Sequence, residues 1–505
     1  MSETPATTGL GHHLAAVFAL SPGTAAVESA SGSTTWGELA LAGEEIERLL
    51  MASGVERSAP IGWVARNRAA SVAAFAALVR HGRMVVPLRP NQAAAAFADE
   101  LRAMRLQAVI GDEDDWSVAG AQTAAAEAGS AGIVVSGSSP ITVALAPGLA
   151  RVGPPPHRAS MPGYVLERLT SGTTGAPKRI PVKEDALLPS LRSGAQKGNA
   201  NDIEPLRLKT SPALLFKPFS HAGGLFGLML ALYQARPMVL FEKFLAEDWA
   251  AAVRRYQPKS ASLVPAMIQM IMEADIPPAW LQSLRAIRSG TAPLDPDLQL
   301  AFEQRYGVPI LVDYGAAEFI GGVAGWTLAD HKHYAAAKRR SVGRPRADVS
   351  LRVVATDSGA VLAQGQIGIL HIKCDRFGPD WFHTNDLALI DDEGFLFLHG
   401  RADDAINRGG FKILPDEVAQ VLRRYPGVRD AAVIGAPDAR LGQVPVAAIE
   451  MTPGVAPPTA RAIEAFAREH LTAYMIPKVF HFVDALPRTA SMKVSRPELK
   501  TLLGI

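Results

Sequence analysis

Between Thr170 and Lys178 the chain reads Thr-Ser-Gly-Thr-Thr-Gly-Ala-Pro-Lys, with four hydroxyls and two glycines in six residues and a lysine at the end. Glycines let backbone N–H groups converge on one anion, hydroxyls add donors, and a lysine adds a point charge. That is chemistry for holding phosphate. It is not a Walker loop, because Lys178 does not directly follow a glycine and no Ser or Thr comes after it. A plain Ser/Gly turn is the bland alternative. The density of donors, the Pro-Lys ending and the extended runs on either side favour the phosphate site.

The elements that position this segment are legible around it. Tyr164 to Leu169 reads as a strand entering the loop and Ile180 to Val182 as an extended run leaving it. Ile310 to Asp313 predicts a strand running into Tyr314-Gly315. Leu387 to Ile390 and Phe395 to Leu398 predict a hairpin across Asp391-Asp392-Glu393-Gly394. Alternating helix and strand patterns over the first 110 residues point to a layered α/β domain, with Met84 to Leu88 as one strand. Residues 112–162, rich in Gly, Ala, Ser and Pro, read as loose connection holding a strand or two. The last hundred residues change texture. Val418, Val421, Leu422 and Tyr425 mark an amphipathic helix, with strands at Ala431 to Ile434, Val446 to Ile449 and Phe480 to Val483, and a helix at Ile463 to Leu471. A boundary is expected in the polar run Gly400-Arg401-Ala402-Asp403-Asp404, dividing residues 1–400 from a compact α+β unit at 401–505.

Composition narrows the field. The chain has 505 residues, 48% apolar and 20% charged, with Lys and Arg exceeding Asp and Glu by 51 − 49 = 2. It is an ordinary globular composition with room for several domains. A near-zero net charge gives no support for nucleic acid as a partner. The single cysteine, Cys374, excludes an internal disulfide framework and a multi-cysteine zinc site. The N-terminus lacks a basic stretch followed by an apolar core, and the apolar run Ala222 to Tyr233 is far short of the ~20 residues of a membrane span. A cytoplasmic protein is expected.

The segment Thr170 to Lys178 resembles the signature loop of the adenylate-forming superfamily: acyl- and aryl-CoA synthetases, peptide-synthetase adenylation domains and luciferases. Further segments resemble later motifs of that family, in its order. They are Tyr314-Gly315-Ala316-Ala317-Glu318, Trp381 to Asp386, Gly400-Arg401, Ile406 to Lys412, and Pro487-Arg488-Thr489-Ala490-Ser491-Met492-Lys493. The pattern runs from about Thr35 to Arg496. It implies a large layered α/β domain with a β-barrel-like part, followed by a small mobile α+β domain that carries the catalytic lysine. The implied reaction joins a carboxylic acid to ATP as an acyl-adenylate, then passes the acyl group to CoA.

The residue types suit that reaction. A carboxylate is already ionised at neutral pH, so no general base is needed. The site must gather anions and neutralise charge in the transition state. The resemblance gives this task to Lys493. It gives ATP to Thr170, Ser171, Gly172, Thr173, Thr174, Gly175, Lys178, Tyr314 and Gly315, with Tyr314 on adenine, and the ribose hydroxyls to Asp386 and Arg401. Glu318 and Thr174 would hold Mg²⁺. His221 would stand near the acid carboxylate, and Gly290, Thr291 and Ala292 would line the acyl pocket. Asp403 matches the hinge, and Gly409 and Gly410 would admit the pantetheine arm of CoA. Small residues at 223, 224, 290, 315, 316, 321 and 322 suggest room for an aromatic or medium-to-long aliphatic acid.

Four positions depart from the family pattern. Arg179, Asn385 and Met492 stand where glycine is usual, and Ala317 where a phosphate-contacting threonine is usual; one lost contact of that kind costs about 1–3 kcal/mol. The charged set Lys493, Glu318, Asp386 and Arg401 is complete. Rival readings are an amino-acid-loading adenylation domain, an acyl-AMP ligase serving a separate carrier protein, and a catalytically silent nucleotide-binding homologue. Amino-acid activators carry an aspartate where this chain has Ser220. Twelve residues after Lys493 leave no room for a carrier domain. His331-Lys332-His333 offers a metal pair at strand spacing without a third ligand, and Lys338-Arg339-Arg340 reads as a solvated basic loop.

Overall fold

The computed structural model describes residues 9–169, 178–195, 206–315, 319, 321–374, 378–489 and 492–505. Its N-terminal layer is a seven-stranded sheet. The strands run in the order Thr142–Leu145, Ala131–Ser136, Ala108–Gly111, Ile61–Val64, Val85–Leu88, Tyr164–Leu169 and Arg179–Lys183. Pairing is parallel inside and antiparallel at both edges. The inner strands Ile61–Val64, Val85–Leu88 and Ala108–Gly111 are buried at every position, as continuous apolar runs under two helical layers should be. Helix Ala69–Arg80 is buried from Ala69 to Val79. Its six alanines let neighbouring elements close in on all sides. Helix Trp36–Ala52 begins on a capping box in which Thr35 and Glu38 satisfy each other's backbone N–H.

Residues 112–162 are more ordered than the composition suggests. They hold short helices Glu113–Trp116 and Ala121–Glu127 and two strands of the seven-stranded sheet. The alanines of this stretch are packed: Ala121, Ala124 and Ala125 are fully buried. Asp112 caps the first helix, and Asp115 answers its backbone N–H.

A second sheet carries the acid-side residues. Strands Ser260–Leu263, Ala286–Ser289 and Ile310–Tyr314 are parallel and continue into the short antiparallel strands Ala324–Gly325 and Arg344–Pro345. The register pairs Ser262 with Arg288 and Arg288 with Leu311. Paired residues and those two apart along a strand share a face, so Ser262, Arg288 and Asp313 lie on one face. A four-stranded sheet, Gly32–Thr35, Ala25–Ser29, Met238–Leu240 and Ala213–Leu215, leads toward the helix Ala222–Tyr233. The barrel-like part is an open antiparallel sheet of Val349–Val354, Gly368–Cys374, Phe382–Ile390 and Leu396–Arg401.

After Arg401 the chain leaves that sheet. The C-terminal unit has its own apolar core, drawn from Ile406 onward and centred on Val418, Leu422, Val433, Ala447, Ile449 and Ile463. Its sheet contains Phe411–Ile413, Ile406–Arg408, Gly442–Met451, Val428–Asp438 and Val479–Val483, covered by helices Pro415–Arg423 and Ala460–His470. Among the described residues no helix is long and apolar enough to cross a membrane.

Candidate active site

On the nucleotide side, two strands from different sheets bring their expected residues together. Tyr314, nearly buried, ends the strand Ile310–Tyr314, and its hydroxyl donates to Asp386 Oδ2. The Asp386 backbone N–H donates to Thr384 Oγ1 at 3.0 Å, and that hydroxyl donates to the Leu370 carbonyl at 2.8 Å. Arg401 faces Asp386 across the ladder, with Nη1 3.7 Å from Oδ1. The resemblance gave the Tyr314 ring to adenine; what the fold shows is its hydroxyl orienting the Asp386 carboxylate.

Arg401 grips the expected hinge residue, donating to Asp403 Oδ1 at 2.9 Å and Oδ2 at 2.8 Å. Asn385 Nδ2 donates to the same Oδ2 at 3.1 Å. The departure at 385 thus ties the sheet to Asp403. The guanidinium of Arg401, then the Asn385 amide, hold the Asp403 carboxyl below its usual range despite partial burial.

The phosphate-loop residues Thr170, Ser171, Gly172, Thr173, Thr174 and Gly175 lie outside the described residues, as does Glu318. The strands flanking the loop pair antiparallel, with Leu169 opposite Arg179. Lys178 is exposed beside them. The departure at 179 has a physical reason. Arg179 turns away to donate to the Pro87 carbonyl at 2.9 Å and Glu100 at 2.6 Å, and lies 3.5 Å from Glu167. Glu167 is 1% exposed and is also paired with Arg158. Arg179 therefore neutralises a buried carboxylate, which would otherwise be expensive to keep ionised.

His221 of the large domain and Lys493 of the small one lie close enough for the lysine's charge to act on the imidazole. His221 occupies the N-cap position of helix Ala222–Tyr233. Burial holds its imidazole below its ordinary pKa, and the positive charges of Arg89 and Lys493 push it the same way. It is neutral at pH 7. Arg89 gave no signal in the sequence. It follows the strand Val85–Leu88, just past the carboxyl end of a parallel sheet, where ligands of such sheets bind.

Lys493 sits in a tight turn. The Thr489 N–H donates to the Lys493 carbonyl at 2.8 Å and the Met492 N–H to the Thr489 carbonyl at 2.8 Å. Met492 has φ +64°, the left-handed region that glycine would enter freely, at a cost of about 1–2 kcal/mol. Its side chain packs on the apolar cluster containing Val264, Ile287 and Leu294, docking the small domain on the large one. A bidentate ion pair from Arg429 to Glu273, at 2.7 and 2.8 Å, holds the same orientation.

The acid side differs from expectation. Gly290 is required by contact, since a Cβ there would lie 2.8 Å from the Asp313 carbonyl. Thr291, β-branched, is held at φ +74°, a strained conformation of the kind found at working loops. Ala292 follows it, half-buried. The small residues do not simply leave volume. A Cβ at Gly224 would meet the Pro218 carbonyl at 2.1 Å, one at Gly315 the Gly321 carbonyl at 2.9 Å, and one at Gly322 the Arg346 guanidinium at 3.0 Å. Lys217 enters here instead, with Nζ donating to Ser262 Oγ at 2.8 Å.

Gly409 and Gly410 form the turn between Ile406–Arg408 and Phe411–Ile413, both at positive φ. A cavity of about 580 Å³ opens beside it, lined by Arg408, Asp438, Arg440, Leu441 and Lys478. The two distractions resolve as structure. His331 and His333 stand on helix Leu328–Lys338, where residues two apart do not face each other, and His331 bonds Glu303 at 2.8 Å. Lys338 pairs with Asp391 and Glu393, and Arg339 with Glu303.

Residues 14–376 match the family described as AMP-binding enzyme, and residues 417–493 its C-terminal domain. The chain belongs to the AMP-binding enzyme family. The 2-succinylbenzoate–CoA ligase of Bacillus licheniformis is 31% identical over 351 residues, 65% of this chain and 68% of that protein. The 3-[(3aS,4S,7aS)-7a-methyl-1,5-dioxo-octahydro-1H-inden-4-yl]propanoyl:CoA ligase of Mycobacterium tuberculosis is 33% identical over 348 residues, 66% and 65% of the two chains. The alignments thus span about two thirds of these relatives. ATP-bound MatB from Rhodopseudomonas palustris superimposes with a TM-score of 0.80 at 22% identity, covering 98% of this chain and 99% of that one. The o-succinylbenzoate CoA synthetase of Bacillus subtilis, in complex with its acyl-adenylate, gives 0.75 at 24% identity over 97% of each. The AMP-binding enzyme has the fold of adenylate-forming enzymes, a large α/β domain with a small α+β domain.

Proposed function

We infer that this AMP-binding enzyme is an acid–CoA ligase: it activates a carboxylic acid with ATP and passes the acyl group to CoA. The observation that carries the reading is the Tyr314–Asp386–Arg401 group, together with Lys493 of the small domain lying close enough to His221 of the large one for its charge to act on the imidazole. An acid oxygen attacks the α-phosphorus of ATP, the bond to the β-phosphate breaks, and pyrophosphate leaves. Lys493 supplies positive charge to the oxygens of that transition state, a contribution of order 10²–10³ in rate for a preorganised donor. Asp386 accepts from the ribose hydroxyls and Arg401 donates to them. The neutral imidazole of His221 donates a hydrogen bond at the acid end without adding a charge.

Glu318 and Thr174 would hold Mg²⁺, an all-oxygen donor set that suits this ion alongside phosphate oxygens. The ion would neutralise charge on the leaving pyrophosphate. In the second step the CoA thiol attacks the acyl carbon, and AMP departs with the bridging oxygen. The small domain, 401–505, turns about Asp403 against the large domain, 1–400, to exchange Lys493 for the Gly409–Gly410 turn. The neighbouring cavity carries Arg408, Arg440 and Lys478 against a single Asp438, a cationic surplus that suits the phosphates of CoA. The acid has an aromatic or medium-to-long aliphatic body, bordered by the apolar cluster of Phe216, Val264 and Ile287. ATP and CoA are cytoplasmic metabolites, which favours that location.

The test is a panel of carboxylic acids scored for ATP- and Mg²⁺-dependent pyrophosphate release. At least one acid should raise release well above the acid-free rate. No response from any acid, with ATP bound, would favour the silent nucleotide-binding homologue.

A further inference from the structure

The wall of the acid site holds more positive charge than a simple monocarboxylate needs. Lys217 lies four residues before His221, on the segment joining strand Ala213–Leu215 to helix Ala222–Tyr233. The backbone there is pinned. Asn67, almost buried, donates to the Lys217 carbonyl at 3.1 Å and the Phe241 carbonyl at 3.2 Å, and accepts from the Phe219 N–H at 3.1 Å. The lysine stem passes Gly223, where a Cβ would lie 3.9 Å from Cδ. Its amine reaches Ser262, which shares a sheet face with Arg288 and Asp313.

Charges around the amine do not balance. Asp313 is the carboxylate that acts on Lys217, yet it is already committed. Arg288 Nη1 is 3.0 Å from both its oxygens, and Arg346 Nη2 is 3.1 Å from Oδ1. Three cations thus share one carboxylate among the described residues. Arg346 Nε is buried with no hydrogen-bond partner among them. Protein packs so closely around Lys217 that burial pushes its pKa down to about 8, with Asp313 pulling weakly the other way. Among the described residues the half-buried ammonium is bonded to a neutral hydroxyl, Ser262 Oγ, and an anionic ligand would give it a charged partner.

We propose that Lys217, supported by Ser262, binds a second carboxylate on the acid substrate, so that the enzyme selects dicarboxylic over monocarboxylic acids. This rests on the acid-activating reading above. The first carboxylate is taken at the reacting end by Lys493 and His221. The second occupies the cationic wall formed by Lys217, Arg288 and Arg346. Lys217 is a specificity residue; it takes no part in bond making.

The test pairs each diacid with its monoacid: adipate against hexanoate, and a ring-carboxylated 3-phenylpropanoate against 3-phenylpropanoate. Turnover is read as pyrophosphate release. The wild-type enzyme should favour at least one diacid over its partner by tenfold or more in kcat/KM. Lys217→Met should bring that ratio close to one, and Ser262→Ala should lower it severalfold while keeping the amine. Monoacids preferred throughout by the wild type, or equal losses for both acids in Lys217→Met, would overturn the proposal. A calorimetric arm measures binding of the same acids to enzyme saturated with a non-reacting ATP analogue. If no acid is turned over, the ligase reading fails, and the calorimetric arm still judges Lys217. Diacid binding weakened tenfold by Lys217→Met supports the proposal; unchanged diacid binding, or none, overturns it.

Discussion

Tyr314, Asp386 and Arg401 sit in stretches whose sequence neighbours are also neighbours in space, and two of them face each other across one antiparallel ladder. Lys217, Ser262, Arg288, Asp313 and Arg346 come from five separate segments that meet because three parallel strands and two loops lie beside one another. The nucleotide side thus draws two of its three residues from one hairpin and the third, Tyr314, from another sheet. The acid side is assembled across the fold and shares the strand Ile310–Tyr314 with the nucleotide side, through Asp313 and Tyr314.

The largest break in that comparison should come from the cation serving both sides. Lys493→Ala should lower adenylate formation by about 10²–10³ or more, measured as acid-dependent pyrophosphate release. Turnover of supplied acyl-adenylate with CoA should survive far better. Equal loss of both half-reactions would remove Lys493 from its assigned step.

Next comes the nucleotide side alone. Tyr314→Phe removes the hydroxyl that orients Asp386, a hydrogen bond to a charged group worth about 1.5–3 kcal/mol. The KM for ATP should rise roughly tenfold or more, with selectivity among acids unchanged. A change in acid preference would show that the two sides are not separable.

The tie between Asn385, Arg401 and Asp403 links the nucleotide side to the start of the small domain, which is proposed to move. Asp403→Pro would fix φ near −65° and stiffen the swivel. Thioester formation should fall while adenylation persists in pre-steady-state assays. Unchanged thioester formation would refute the hinge.

The smallest effect is on stability. Lys217 is pushed down from 10.5 to about 8, so its charged form is disfavoured in the native state. Between those values the unfolded chain binds a proton that the native chain lacks, and native stability rises with pH across that window. Lys217→Met lacks this term. In the absence of acid it should melt higher than wild type by about 1–3 °C below pH 8. The gap should narrow toward pH 10.5. A lower melting temperature for Lys217→Met throughout would mean that the amine is well satisfied by its surroundings.

The strands that carry the nucleotide motifs were readable from the residues: Tyr164–Leu169 and the hairpin Phe382–Ile390 with Leu396–Arg401 lie where apolar runs and turn residues put them. So was the separate C-terminal α+β unit, because its helices have clear apolar stripes. The two strands within residues 112–162 were expected, but the helices Glu113–Trp116 and Ala121–Glu127 were not placed, because alanine and glycine carry little periodic signal even when packed solid. Arg179, Asn385 and Met492 looked like losses by comparison with a family pattern. Each has a partner outside its own motif: Glu100 for Arg179, Asp403 for Asn385 and the Val264–Leu294 cluster for Met492. Lys217 and Arg89 were invisible because a lone lysine or arginine has no pattern; only the fold shows which charges surround them.

The central claim is that one chain makes an adenylate and then hands it to CoA. Mass analysis of products from acid, ATP and Mg²⁺, with and without CoA, tests it directly, using the best acid from the panel. The account predicts acyl-adenylate without CoA, and acyl-CoA with stoichiometric AMP when CoA is present. Adenylate that accumulates and stays untouched by millimolar CoA would contradict it and point to a separate carrier protein as acceptor.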